Sequence, residues 1–284
     1  MIHSFFKPII RFVLPFLFIH FSMAQQMGVG VMMGGANYAG DLTENWKSSF
    51  SQTKPTVGLL YNLQLNPIVD FKLQYWLLSL QADDALSSQD WKKQRNFNFK
   101  STIHNIDVGV DLHLWSMIQS HYLLNPYLSL GLSFFKFNPK TKFEGNWVNL
   151  SELGTEGQGM PGYAQKYSLF SHAMTFGVGL EYPLSHRISI GLELKWRKTQ
   201  TDYLDDLSGK YVSYDELLFW NGRTAAELGN PQNVTANTQR GNSKDNDWFQ
   251  TFSIHFVYHW TQQISLLNPV NTPKRTRKLR CPKF

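Results

Sequence analysis

The chain has 284 residues, of which 42% are hydrophobic, 15% aromatic and only 17% charged, with a mean hydropathy of −0.31. Soluble domains ordinarily carry about 25% charged residues, so this chain is short of charge. It nevertheless lacks any long apolar run past residue 25, which excludes a bundle of transmembrane helices. Its 21 Phe, 12 Tyr and 9 Trp exclude a solvated, disordered chain. Soluble all-β folds and transmembrane β-barrels are left to compare. The net charge of +6 is an end effect: Lys7 and Arg11 stand near the start, and Lys274, Arg275, Arg277, Lys278, Arg280 and Lys283 near the end, leaving the body between at −2. With no basic stripe across that body, nucleic acid is not an expected partner.

Residues 1–24 read as a secretory signal peptide. A basic start precedes an apolar core from Phe12 to Phe21, and Ser22-Met23-Ala24 places small residues at −3 and −1 of a cleavage site after Ala24. Cys281 is the sole cysteine, so no intrachain disulfide forms and no cysteine zinc site exists.

From Met27 onward the dominant period is two, and it marks eight strands. A Gly-rich first strand covers Met27 to Asn37. In the second, Val57, Leu59, Tyr61, Leu63 and Leu65 oppose Thr56, Gly58, Asn62 and Gln64. The third, Val69 to Gln81, sets Val69, Phe71, Leu73, Tyr75 and Leu77 against Asp70, Lys72 and Gln74. In the fourth, Asn105 to Trp115, Ile106, Val108, Val110, Leu112 and Leu114 face away from Asp107, Gly109, Asp111 and His113. The same alternation recurs over Leu128 to Phe134, Phe170 to Tyr182, Arg187 to Arg197 and Thr251 to Trp260.

Two features separate a membrane barrel from a sandwich. The segments reach about ten residues, enough to cross a bilayer with tilt, whereas soluble strands average about five or six. The connections also sort by parity. Those after strands two, four and six are short (Asn66-Pro67, roughly Ser116 to Asn125, Pro183 to His186), and those after strands one, three, five and seven are long, the last running from about Gln200 to Asn246. Short periplasmic turns with long outer loops are the pattern of bacterial outer-membrane barrels. The fold expected is therefore all-β, an eight-stranded antiparallel up-and-down transmembrane β-barrel over residues 25–261, followed by a flexible basic periplasmic tail over 262–284. Outer-membrane lipid is its expected surroundings.

An eight-stranded barrel fills its interior with side chains. Lys72, Asp107, Asp111, Glu181, Glu193, Lys195 and Arg197 then point inward and must pair with one another, since unpaired buried charge is costly. Inward glycines, among them Gly179 and Gly191, make room for long partners. Trp76, Trp115, Trp196, Trp248, Tyr258 and Trp260 lie near segment ends, where aromatic girdles meet the membrane interface.

Catalytic patterns are thin: there is no G-x-S-x-G, no H-E-x-x-H and no Walker loop. Ser253, His255 and His259 share the inward face, and a lumenal acyl-transfer site is the enzyme alternative to a plain polar lumen. Asp202, Asp205, Asp206, Asp245 and Asp247 are oxygen ligands of the kind calcium takes, but their spacing matches no EF-hand loop. No catalytic, cofactor or metal residue is assigned, and the basic tail is the clearest partner-binding feature.

Four loop segments carry a family resemblance. They are Asn37-Tyr38-Ala39-Gly40-Asp41, the run Leu153-Gly154-Thr155-Glu156-Gly157-Gln158-Gly159, the run from Arg197 to Asp206 (RKTQTDYLDD), and the run from Arg240 to Trp248 (RGNSKDNDW). Together they resemble the PorG-like outer-membrane barrels of Bacteroidetes, a component of the type IX secretion system. The resemblance implies a non-catalytic barrel that associates with a periplasmic PorK–PorN ring and is needed for protein export and, in some species, gliding.

Overall fold

A computed structural model describes residues 26–43, 51–118 and 124–260. The leader 1–24 and the tail 262–284, with its six basic residues and Cys281, lie outside the described residues. The strands are β1 (Met27–Ala39), β2 (Lys54–Gln64), β3 (Val69–Asp83), β4 (Asn98–His113), β5 (Asn125–Lys136), β6 (Pro139–Phe143), β7 (Asn146–Asn149), β8 (Phe170–Pro183), β9 (Ile188–Thr199) and β10 (Trp248–His259). Eight of them close into an antiparallel barrel in the cyclic order β1-β2-β3-β4-β5-β8-β9-β10, the ring closing through β1–β10. The remaining two, β6 and β7, form a hairpin in the third long loop, attached to the outer end of β4.

The short connections are built by side chains that imitate backbone turns. Asn66 Oδ1 accepts from the N–H groups of Ile68 and Val69 at 2.8 and 2.9 Å. Ser185 Oγ accepts from Arg187 and Ile188 at 3.3 and 3.1 Å, the Asx and Ser/Thr turns these residues favour. The turn after β4 carries a 3-10 turn at Trp115–Met117. At the opposite end the long loops fold. Among the described residues they contain a 3-10 turn at Asp84–Leu86 and four short helices: α1 (Asp90–Arg95), α2 (Leu150–Leu153), α3 (Tyr214–Trp220) and α4 (Arg223–Gly229). Ser213 caps α3 by accepting from the Glu216 N–H, as a Ser-x-x-Glu start predicts.

The outer surface of the barrel is apolar. Val57 and Leu59 on β2, Leu130 and Leu132 on β5, and Phe252 and Phe256 on β10 are all exposed, which suits a face turned to lipid. On β3 and β4 the pattern changes along the strand. Through Leu77 the outward residues of β3 are apolar, then Ser79, Gln81 and Asp83 follow; inward, Asp70, Lys72 and Gln74 give way to Trp76, Leu78, Leu80 and Ala82. Above the lipid belt the hairpin is thus apolar inside and polar outside. Trp76 is the residue that departs from the girdle expectation: it is 0% exposed, packed within the barrel at the point where this polarity inverts. Trp115, Tyr258 and Trp260 remain exposed, and Trp196 and Trp248 both pack against Phe176.

Candidate functional site

The lumen is organised in levels. In the middle, Glu193 on β9 receives four donors. Lys72 Nζ lies 3.2 Å and Tyr127 Oη 3.1 Å from Oε2, and Lys195 Nζ and Gln74 Nε2 each lie 3.1 Å from Oε1. Lys72 also pairs with Asp111, diagonally placed on the neighbouring β4, and sits over the Tyr127 ring. Lys195 returns to Gln74 Oε1 at 2.6 Å. A level outward, Arg197 forks onto Asp107, with Nη2 to Oδ2 at 2.6 Å and Nε to Oδ1 at 3.1 Å. Its Nη1 donates to Thr251 Oγ1 at 3.1 Å, while Asn105 Nδ2 donates to Asp107 at 2.8 Å. Such fork geometry is the strong form of a buried ion pair. Gly179 lies beneath the Tyr127 ring and Gly191 beneath His255, where a Cβ would collide with those rings.

Six of the seven lumenal charges expected from the sequence therefore meet in two clusters. Glu181 sits apart at the periplasmic mouth, near Asp70 and His113. Asp70, Gln74, Tyr127 and His113 complete the lumenal set, and the alternation of β3 and β4 already placed Asp70 and His113 on the inward face. The Ser253–His pairing that acyl transfer needs is not formed: Ser253 Oγ and His255 Nδ1 have no hydrogen-bond partner, and His259 Nε2 pairs with Ser189 at 3.0 Å.

Over the outer mouth the loops make a cap on an apolar floor. One buried cluster runs without a break from Met32, Trp76, Ile103, Phe135 and Phe249 in the barrel to Leu42, Leu150, Leu204 and Leu207 in the loops. Above it lies a polar lock drawn from the four motifs that carried the family resemblance. Tyr38 Oη is 2.7 Å from Asp205 Oδ2 and 2.6 Å from Asp247 Oδ1. One hydroxyl proton serves one of these oxygens, so the other contact closes only when its carboxyl is protonated. Burial accordingly pushes Asp205 and Asp247 well above the usual carboxylate range, their proximity to other acids adding to it.

Arg240 Nη1 donates to Glu156 Oε1 at 2.9 Å and to the Asp206 carbonyl at 2.7 Å. The Glu156 carboxylate also accepts from the Ser208 and Gly209 N–H groups. Asp206 takes hydroxyl protons from Thr155 and Tyr167, yet burial raises it to about 6. Arg95 forks onto Asp84 at 2.7 and 2.9 Å and ties α1 to the Arg240 carbonyl. Asp202 also rises, to about 7, again through burial. Between these loops lies a cleft of about 380 Å³, bordered by Arg95, Asp206, Gln232 and Arg240. The loop carboxylates Asp202, Asp205, Asp206 and Asp247 do not form a metal-type cluster; among the described residues the one group of His, Asp and Glu with converging ligand atoms is Asp70, His113 and Glu181.

Solved structures similar to this chain include small outer-membrane proteins. The attachment invasion locus protein Ail of Yersinia pestis, solved with the heparin analogue sucrose octasulfate, is 9% identical, with 84% of this chain and 100% of that chain covered and a TM-score of 0.42. Neisserial surface protein A is 10% identical over 83% and 99% of the two chains, with a TM-score of 0.40. OprG of Pseudomonas aeruginosa is 10% identical over 83% and 94%, with a TM-score of 0.36. No curated protein matches the chain. Residues 7–266 match the family described as a domain of unknown function, DUF6089, and the chain, an eight-stranded barrel with a capped, charge-filled lumen, belongs to that family.

Proposed function

We propose that the protein is a non-conducting, non-catalytic anchor in the outer membrane that docks a periplasmic assembly of the type IX secretion or gliding class. The observation that supports this reading best is the filled lumen. Two levels of paired charges and an apolar floor under the cap occupy the lumen among the described residues, which supports a barrel that acts through its ends. The motif resemblance supplies the class of machine, with PorK–PorN-type ring proteins as partners. In this reading the short turns at 65–68 and 184–187 and the basic residues of 262–284 form the docking side.

Photocrosslinkers placed in those two turns in native membranes test it. Capture of ring-class proteins is expected, and their absence from every crosslinked product overturns the reading. Pull-downs with and without residues 262–284 isolate the tail: retention of all partners by the truncated chain removes the tail from the docking surface. In planar bilayers no sustained open-channel current is expected.

The cleft of about 380 Å³ in the cap favours a second reading, binding of a small solute by the loops. Its mark is retention of a solute by the purified chain that Arg240→Met abolishes while the barrel stays folded.

A further inference from the structure

The periplasmic mouth of the lumen holds a set of polar atoms that the paired charges deeper inside do not use. Asp70 on β3, His113 on β4 and Glu181 on β8 each offer a ligand atom there, and these atoms all lie within 4.8 Å of one another. His113 Nε2 and Asp70 Oδ2 are 3.1 Å apart, close to the separation of neighbouring ligands around a tetrahedral ion with bonds of about 2.0–2.1 Å. His113 Nδ1 faces the Asn125 side-chain amide at 3.0 Å. Such a partner fixes the ring and the tautomer of a ligating histidine. With the amide turned so that Oδ1 faces the ring, Nδ1–H donates to it and Nε2 is left for the ion.

A second observation is independent of that triad. Asn62 Oδ1 and His259 Nδ1 are buried without a hydrogen-bond partner, as is Asp70 Oδ1. Asn62 is 6% exposed and His259 2%. These three residues line one cavity of about 30 Å³, together with His113, Asn125 and Glu181, and the lining contains no Lys or Arg. A space of that size admits one water-sized occupant. Besides the amides of its Asn and Gln side chains, the lining brings together two carboxylates and the unpartnered His259 Nδ1, so a water with two hydrogens satisfies only part of these acceptors, whereas a cation satisfies several and balances the two carboxylates. Lys72, the nearest deeper cation in sequence to Asp70, is already engaged by Asp111 and Glu193.

We propose that this mouth binds a single divalent transition-metal ion, Zn²⁺ being the best match, through His113, Asp70 and Glu181, with Asn62 or His259 able to supply a further donor. The mixed nitrogen and oxygen donors select against Ca²⁺ and Mg²⁺, which take oxygen sets. An ion here ties β3, β4 and β8 together at the end of the barrel that faces the periplasm. The proposal does not rest on the docking function and stands or falls separately from it.

The test uses the full chain carrying Cys281→Ser, so that the tail thiol adds no ligand, purified in detergent and stripped with chelator. Titrated with Co²⁺, it is expected to bind one equivalent with visible d–d bands, which Zn²⁺ then displaces. Glu181→Gln and His113→Ala, each checked for heat-modifiable migration as folded barrels, are expected to lose the bands. Asn125→Ala is expected to weaken binding about 10- to 100-fold, and His186→Ala, in an exposed turn, to leave it unchanged. Folded wild-type barrel that takes up no stoichiometric Co²⁺ or Zn²⁺ overturns the proposal. So does unaltered binding in folded Glu181→Gln and His113→Ala, and in that case the mouth is a hydrated His–Asp pair.

Discussion

The lipid-facing half of this barrel and its outer cap solve the burial problem with opposite polarity, and β3 passes through both. Below Trp76 the strand turns Asp70, Lys72 and Gln74 inward and apolar side chains outward; above it Leu78, Leu80 and Ala82 point inward and Ser79, Gln81 and Asp83 outward. Lipid removes the hydrophobic driving force for an apolar interior, so the lower half is held by ion pairs and by the closed ladder of backbone hydrogen bonds. The cap stands in water, where burying Leu42, Leu150, Leu204 and Leu207 is favourable. Ion pairs therefore carry different weight in the two regions: below they constitute the core, above they lock loops onto a core that already exists.

The largest effect expected from this contrast is in the lower half. Arg197→Met leaves Asp107 buried without its cation and is expected to cost about 3–5 kcal/mol, read as a lowered urea midpoint of the barrel in detergent. Adding Asp107→Leu removes the stranded charge and is expected to recover most of the loss. A double variant no more stable than the single would mean that the lumen needs the charges themselves rather than their mutual neutralisation.

The corresponding cut in the cap is Leu204→Ala. Leu204 is 0% exposed, and truncating a buried leucine costs roughly 2–5 kcal/mol. Here the loss is expected to be local: loops 200–247 become sensitive to protease while heat-modifiable migration of the barrel is unchanged. Simultaneous collapse of both would show that cap and barrel fold as one cooperative unit, and the contrast between the regions would lose its energetic meaning.

The barrel half was legible because strict alternation over long segments admits few other folds, and because inward charges spaced two apart have nowhere to go except toward one another. The cap was not. Its elements are short, and their sequence cues are weak: the β6–β7 hairpin turns at Glu144-Gly145, both at positive φ, without the Asn-Gly or Asp-Gly pair that usually announces such a turn. Asp84 with Arg95 is joined within one loop and Glu156 with Arg240 across two, pairings that no periodicity announces. The motifs that did stand out, around Tyr38, Thr155, Asp205 and Arg240, meet one another across the cap. Trp76 was misplaced for the same reason: alternation gives a side, and only the inversion of polarity along β3 tells what that side contains.

A smaller effect is expected from Tyr38→Phe. Removing the hydroxyl leaves Asp205 and Asp247 facing each other without a shared donor, at about 1–3 kcal/mol, again read as exposure of loops 200–247 with the barrel intact. An unchanged cap in this variant would mean that the two carboxyls already share a proton without the tyrosine.

The gentlest probe of the cap is pH. Asp206 is raised to about 6 and Asp202 to about 7, both by burial, whereas an unfolded aspartate titrates at about 4. The folded cap consequently holds protons that the opened loops release. The stabilisation this brings is complete below about pH 4 and is lost as pH rises through the folded values, so stability falls over the window up to about 7. Asp205 and Asp247 shift in the same direction and extend that loss. Hydrogen exchange of residues 200–247, corrected for intrinsic rates, is expected to show less protection at pH 8 than at pH 5.5, and Asp206→Asn is expected to flatten the difference. The lumenal pairs provide the internal contrast: Arg197 with Asp107, and Lys72 with Asp111 and Glu193, join opposite charges rather than like ones. Protection of β9 should therefore hold across the range in which the cap loosens. Protection of the cap that instead rises with pH would show that Arg240 and Arg95, rather than the crowded carboxyls, dominate its electrostatics.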